Sequence, residues 1–440
     1  MINILKPTVS KLLCVTYLIF GLTLCDLSAQ SWQTLNANTL SWRFEDLYFV
    51  DPDIGWVVDG GGQILKTVNG GQNWTQQFYD SSLYFRSVEF LNDQLGFAGT
   101  LANGNPAAQL YRTTNGGATW IDVSGNFPVN VPGICGISIV DENTVFITGV
   151  FFGSAYVMKS TDQGATWQYT NMSTYANGLV DIYFKDGLNG WAVGQGNQGN
   201  ALRAVILGTT DGGATWNLLR SGDHSNQRSW KIQQLNDNVF YASIEEFEPS
   251  PQYFKSIDGG QTWSLQNVMT TNTSGTMQGI GFLNENLGWV GGFGQLFYET
   301  TDAGQTWDYQ PSIGLSFNRF QRVNDTLMFT AGVNVYRYAD PALLSVDDFE
   351  IVKPKGHGLA IKGSNMIKDE ATIILHLINN TYCELSVYNT NGQRVQTIQQ
   401  KRMKAGEYEI KWQLPQLAKG PYFLVLYTYH GYESIKVVVD

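Results

Sequence analysis

The 440-residue sequence predicts an all-β protein: a seven-bladed β-propeller followed by a small C-terminal β-sandwich. Three observations carry that prediction. The pattern Ser/Thr-x-Asp/Asn-x-Gly-x-Thr/Asn-Trp recurs six times, ending at Trp74, Trp120, Trp167, Trp216, Trp263 and Trp307, at intervals of 44–49 residues. That period matches one four-stranded blade. A second, apolar motif recurs upstream of the boxes. The repeat then stops near residue 340 and gives way to alternating apolar runs of a different kind.

Each box reads as a tight turn between two strands. Its acid or amide (Asn69, Asn115, Asp162, Asp211, Asp258, Asp302) is short enough to bond a backbone N–H two residues on. The glycine two places later suits a positive φ. The Trp opens the next strand and offers a large apolar face to the neighbouring repeat. With Asn in two of the six boxes, the row reads as structural turns and not as a calcium or catalytic site.

The upstream motif pairs an alternating run with a small apolar strand. Leu47-Tyr48-Phe49 precedes Gly55-Trp56-Val57-Val58, and Ile182-Tyr183-Phe184 precedes Gly190-Trp191-Ala192-Val193-Gly194. Run, strand, box turn and final strand make four strands per unit. A seventh unit begins at Phe317 and ends by Tyr338 with no box. Ser31-Trp32-Gln33-Thr34-Leu35 resembles the missing post-box strand, so it is predicted to complete the seventh sheet and remove two open edges.

These residues carry a resemblance. The runs Asn189-Gly190-Trp191-Ala192-Val193-Gly194 and Thr209 through Trp216 resemble the Asp-box propellers, most closely the photosystem II stability/assembly factor-like family, over residues 31–340. The resemblance implies a fold and a protein-binding habit, not photosynthesis.

The two ends suggest an address. Residues 1–29 read as a signal peptide: Lys6 and Lys11, an apolar stretch from Leu12 to Leu24, then Ala29 before Gln30. Leu22-Thr23-Leu24-Cys25 faintly suggests a lipoprotein cut before Cys25. Residues 30–344 are assigned to the propeller and 345–440 to the second domain. In the latter, Leu385-Ser386-Val387-Tyr388-Asn389 with Gly392-Gln393-Arg394-Val395, and Ala405-Gly406-Glu407-Tyr408 with Trp412, resemble the type IX secretion sorting domain of Bacteroidetes. Asn365-Met366 departs from that family's usual Asn-Pro. The resemblance implies export through the periplasm to the outer-membrane surface or the medium.

Composition narrows the partners. The chain carries a formal net charge of −11, and residues 30–344 hold 14 basic against 27 acidic residues. Nucleic acid is excluded as a partner, because phosphate must be met by Lys and Arg. Cys135 and Cys383 fall in separate domains and read as buried free thiols. No metal-ligand spacing or nucleophile motif occurs, and no cofactor is expected.

A binding site is expected on the rim opposite the boxes, where loops of unequal length gather. The candidates there are Phe151, Phe152, Tyr156, Glu245, Glu246 and Phe247, joined from the blade-linking segments by Arg86, Arg228, Trp230 and Arg319. A protein ligand is favoured over a glycan. The alternative is a glycan-active enzyme of the sialidase or another glycoside hydrolase kind. Arg86, Arg228 and Arg319 would then hold a substrate carboxylate, and Glu245, Glu246 and Glu248 would supply acids. The sequence lacks the early Arg-Ile-Pro signature of sialidases, so a non-catalytic reading is preferred.

Overall fold

The computed structural model describes residues 32–439 except 106, 152, 199–200, 247–250, 269–275, 312, 340–357, 363–365, 369, 379, 390–393, 415–416 and 429–430. The expected signal peptide lies outside the described residues. Seven four-stranded antiparallel sheets follow one another along the chain. Their innermost strands are Phe44–Phe49, Tyr84–Phe90, Gly136–Ile139, Gly178–Phe184, Arg228–Gln234, Met277–Phe282 and Arg319–Asn324. The seventh sheet takes its outer strand from the start of the chain: Trp32–Leu35 pairs with Val335–Ala339, with Trp32 opposite Tyr338 and Leu35 opposite Val335. First and last blades are thereby joined by main-chain hydrogen bonds.

Aromatic stacking explains the upstream motif. The Phe that ends an inner strand lies flat on an aromatic ring of the preceding blade: Phe90 on Trp56 at 3.5 Å, Phe184 on Phe146 at 3.5 Å, and Phe49 on Phe329 at 3.6 Å. The box Trp then meets the same Phe edge-on, as Trp120 meets Phe90 and Trp216 meets Phe184. Glycine is required where the second strand begins, since a Cβ on Gly55 would stand 2.4 Å from the Phe49 ring. Each motif residue is therefore one side of a blade-to-blade clasp.

In the box, the structure corrects one expectation. The carboxylate accepts from the backbone N–H four residues on, not two: Thr215 N donates to Asp211 Oδ1 at 2.9 Å, and the Thr215 hydroxyl donates to Oδ2 at 2.6 Å. The first box residue completes the turn. Thr209 Oγ1 donates to Asp211 Oδ1 and accepts from Gly213 N. Gly213 has φ +85°, and its carbonyl accepts from the Trp216 indole at 3.2 Å. The longer reach follows from the positive-φ glycine, which curls the chain back over the carboxylate.

Those hydrogen bonds, the Thr215 hydroxyl first, hold the Asp211 carboxyl down at about 2. A depressed carboxyl stabilises the fold above its unfolded value, near 3.9, and the contribution is lost as pH falls through the folded value. Asp211→Asn is therefore expected to leave the unfolding midpoint at pH 7 unchanged, as Asn69 and Asn115 fill the same place in their boxes. It should also remove acid sensitivity between about pH 4 and 2. Asp211→Ala should lower the midpoint at both pH values. Thermal melts of the three proteins at pH 7 and pH 3 decide this.

The C-terminal part forms two further sheets. One is three-stranded, from Gly358–Ile361, Glu370–Leu377 and Gly406–Gln413. The other is five-stranded, from Met366–Ile367, Thr381–Asn389, Arg394–Met403, Gly420–Thr428 and Gly431–Val439. Ile373, Leu375, Leu385, Val387, Leu424, Leu426, Val437 and Trp412 are buried in a single core. Among the described residues no helix is long and apolar enough to cross a membrane.

Candidate functional site

The inner strands run from the loop rim to the box rim and surround the propeller axis. Five of them shift register at the same height, between Phe44 and Asp46, Phe85 and Ser87, Leu179 and Asp181, Ser229 and Ile232, and Met277 and Gly279. An extra residue in a strand interrupts the in-and-out alternation of side chains. The bulged positions, Glu45, Arg86, Val180, Trp230 with Lys231, and Gln278, therefore supply the side chains that fill the axis together with those beside them.

Three layers result. At the loop rim, Glu45 accepts from Arg43 Nε and Nη2 at 3.2 and 3.1 Å and from the Tyr84 hydroxyl at 2.8 Å, with Arg86 Nη1 3.4 Å away. Arg43 also donates to Gln278, Gln278 donates to Glu245, and Arg228 donates to Glu245 at 2.9 Å. Below lies Trp230, whose indole donates to Asn318 at 2.6 Å and whose ring is 5.3 Å from the Arg86 guanidinium. Under it, Arg319 joins Asp46 at 2.9 Å and Asp181 at 3.1 Å, with Lys231 4.0 Å from Asp46.

The electrostatics follow from burial and pairing. Burial pushes the Glu45 carboxyl up, but Arg86 and Arg43 outweigh it and hold the group below its ordinary value. Burial lowers Lys231 against the pull of Asp46, and its Nζ makes no hydrogen bond. Nearer the box rim, Glu89 accepts from Ile139 N at 2.9 Å, and burial pushes its carboxyl up to about 8.

The candidates read from the sequence are redistributed by this arrangement. Arg86, Arg228, Trp230 and Arg319 belong to inner strands and not to linking loops, and the bulges turn Arg86 and Trp230 inward. Arg86 and Arg228 lie above Trp230 and Arg319 below it, so the three arginines face different partners and do not converge. Glu245 bonds Arg228 and Gln278, whereas Glu246 accepts from Gln227 and lies 3.4 Å from His224. Adjacent residues at a strand end face opposite ways. Tyr156 is 1% exposed, and its hydroxyl donates to Gly133 O, so it is core and not rim. Phe151 is half-buried against Trp230 at 5.8 Å. Phe152 and Phe247 lie outside the described residues.

The sequence reading passed over Trp42 and Phe293. Their rings lie parallel, 5.1 Å apart, on the loop rim, with the Arg43 guanidinium 4.5 Å from one and 4.6 Å from the other. Trp42 sits outside both repeated motifs, but so do the buried Trp230 and Trp412, so its position in the sequence does not mark it.

Comparison with known proteins fits this architecture. Residues 24–134 match the family described as photosynthesis system II assembly factor YCF48, and residues 365–440 match the secretion system C-terminal sorting domain. The chain is 24% identical over 345 residues to the photosystem II assembly lipoprotein Ycf48 of Synechococcus sp. (strain CC9902), covering 72% of this chain and 92% of that protein. A structure of YCF48 bound to a D1 peptide superposes with a TM-score of 0.52 at 18% identity, covering 72% of this chain and 96% of that one. A GH74 xyloglucanase from Xanthomonas campestris shares the fold at a TM-score of 0.53 and 11% identity, covering 86% and 63%. The chain is a β-propeller that is similar to the photosystem II assembly factor YCF48 family over residues 24–134 and to the secretion system C-terminal sorting domain over residues 365–440.

Proposed function

We propose that this is an exported, non-catalytic propeller that binds a protein partner through its loop rim, and that type IX secretion machinery carries it out by acting on residues 345–440. One observation carries the binding reading. The ionised side chains at the axial mouth are spent on one another: Arg43 and Arg86 on Glu45, and Arg228 on Glu245. A substrate carboxylate would have to break a buried pair to gain an arginine, and such pairs are costly to break. The rim that remains offers rigid shape and aromatic area, which suit recognition. The peptide held by YCF48 is a property of that protein, and it supports the same habit here. The likeness to the xyloglucanase is one of fold, and a shared fold hosts many functions.

Two measurements test the proposal. A neutral reporter placed between a signal peptide and residues 345–440 is expected outside the cell of a type IX-competent host. A reporter held in the periplasm would remove the export reading. The purified chain is expected to turn over neither sialosides nor β-glucans. Turnover that disappears in Glu245→Gln would replace the binding reading with a hydrolase.

A further inference from the structure

Of thirteen tryptophans in the chain, Trp42 alone is exposed, over 51% of its surface. Leaving half of a large aromatic ring in water forgoes much of the stabilisation that its burial would bring. The ring is nonetheless held still. Its segment is pinned to blade one, where Asp59 Oδ2 accepts from the Thr39 hydroxyl at 2.8 Å and from Leu40 N at 2.6 Å, while the Ser41 hydroxyl donates to Arg43 O. Phe293 stacks on the ring, and the guanidinium that contacts both rings is itself fixed by Glu45 and Gln278. Leu40 and Leu315 are exposed on the same rim, and Ser316 N donates to Gly294 O, which brings the Leu315 segment beside Phe293. Together they make an apolar shelf across blades six, seven and one.

The polar groups around the shelf define what fits it. Asp59, Glu45, Arg43 and Gln278 are engaged with one another or with the backbone. A sugar would find aromatic area but few partners for its hydroxyls, and unpaired buried hydroxyls are costly. A cationic side chain would approach rings already polarised by Arg43. An anion would find Arg43 neutralised by Glu45. The charged groups beneath the shelf are engaged with one another or with neutral donors, and its exposed apolar face complements a neutral, apolar group. Proline suits it best, having a compact ring on a backbone that is extended in advance and needs no internal hydrogen bonds. We infer that the Trp42–Phe293 shelf docks an uncharged, proline-bearing stretch of extended polypeptide. This rests on the protein-binding reading above and names the chemistry of its ligand.

The test uses the full mature chain and a fluorescein-labelled, proline-rich peptide without charged residues, followed by fluorescence polarisation. Saturable binding is expected, weakened about tenfold or more by Trp42→Ala and by Phe293→Ser. Trp42→Phe should retain most of the affinity, and Trp42→Ala should leave the unfolding midpoint within a few degrees of the parent, because that ring is exposed. The inference is overturned by an absence of saturable binding, by equal binding in the alanine and serine variants, or by displacement with cellohexaose. It is also overturned by a dimer in sedimentation velocity that Trp42→Ala dissociates, since the shelf would then serve a second copy. Capture of an envelope protein that survives Trp42→Ala but is lost on changing other rim residues would sink the shelf and leave the proposed function standing. Hydrolysis of a glycan by the chain would sink that function itself.

Discussion

Glu45→Ala is expected to destabilise the propeller by about 3–5 kcal/mol, the usual cost of removing one partner from a buried ion cluster. Glu45 is 1% exposed and serves Arg43, Arg86 and Tyr84 at once. Without it, two guanidiniums remain in the axis with no carboxylate, and Arg86 is closed in between Trp230 and the backbone of blade one. Glu45→Gln should cost less, since an amide can still accept from Tyr84 and Arg43. Replacing Glu45, Arg43 and Arg86 together by apolar residues of similar size should recover much of the loss, because buried ion clusters contribute specificity more than net stability. Urea denaturation of the four proteins measures this. A loss below about 1 kcal/mol for Glu45→Ala would mean that water solvates the axis.

Trp32→Ala is the second large effect, expected at about 3–5 kcal/mol. Trp32 is buried against Trp289, Phe297, Phe320 and Tyr338, with ring centroids 5.1–6.0 Å away. It therefore anchors the closing strand to blade six as well as to its own sheet. Deleting residues 30–38 should go further. Val335–Ala339 would become an open edge beside an emptied aromatic pocket, and exposed edges recruit other chains. Light scattering on the secreted product should show aggregation for the deletion, while Trp32→Ala stays monomeric with a lowered midpoint. A soluble, fully stable deletion would show that the ring does not depend on this strand.

How much of this was legible in the sequence depended on whether a residue's role repeats. Asp211 and Gly213 do the same local job in every box, so six copies fix their meaning from the sequence, whereas the indole of the box Trp reaches the glycine carbonyl only at Trp167, Trp216 and Trp263. The strand order around Gly190-Trp191 was equally readable, because a stacked Phe and a glycine beneath it recur from blade to blade. The bond reach within the box was misjudged by two residues, since a positive-φ glycine changes the path of the chain more than spacing indicates.

The axial residues belong to the other kind. Glu45, Arg86, Val180, Trp230 and Gln278 occupy equivalent bulged positions, yet no two are alike. Each is chosen to complement its neighbours across the axis and not to repeat them. Tyr156 looked like a rim aromatic for the same reason: only the packing of blades two and three shows its hydroxyl reaching Gly133. Trp42 and Phe293 lie 251 positions apart, and nothing along the chain announces their stack. The sequence by itself thus determined the repeating unit and the change of domain, because turns and blade clasps are short-range and recur. Which charges cancel, which tryptophan stays in water and where a ligand can sit were decided by closure of the ring, which brings residues from all seven blades to one axis and one rim.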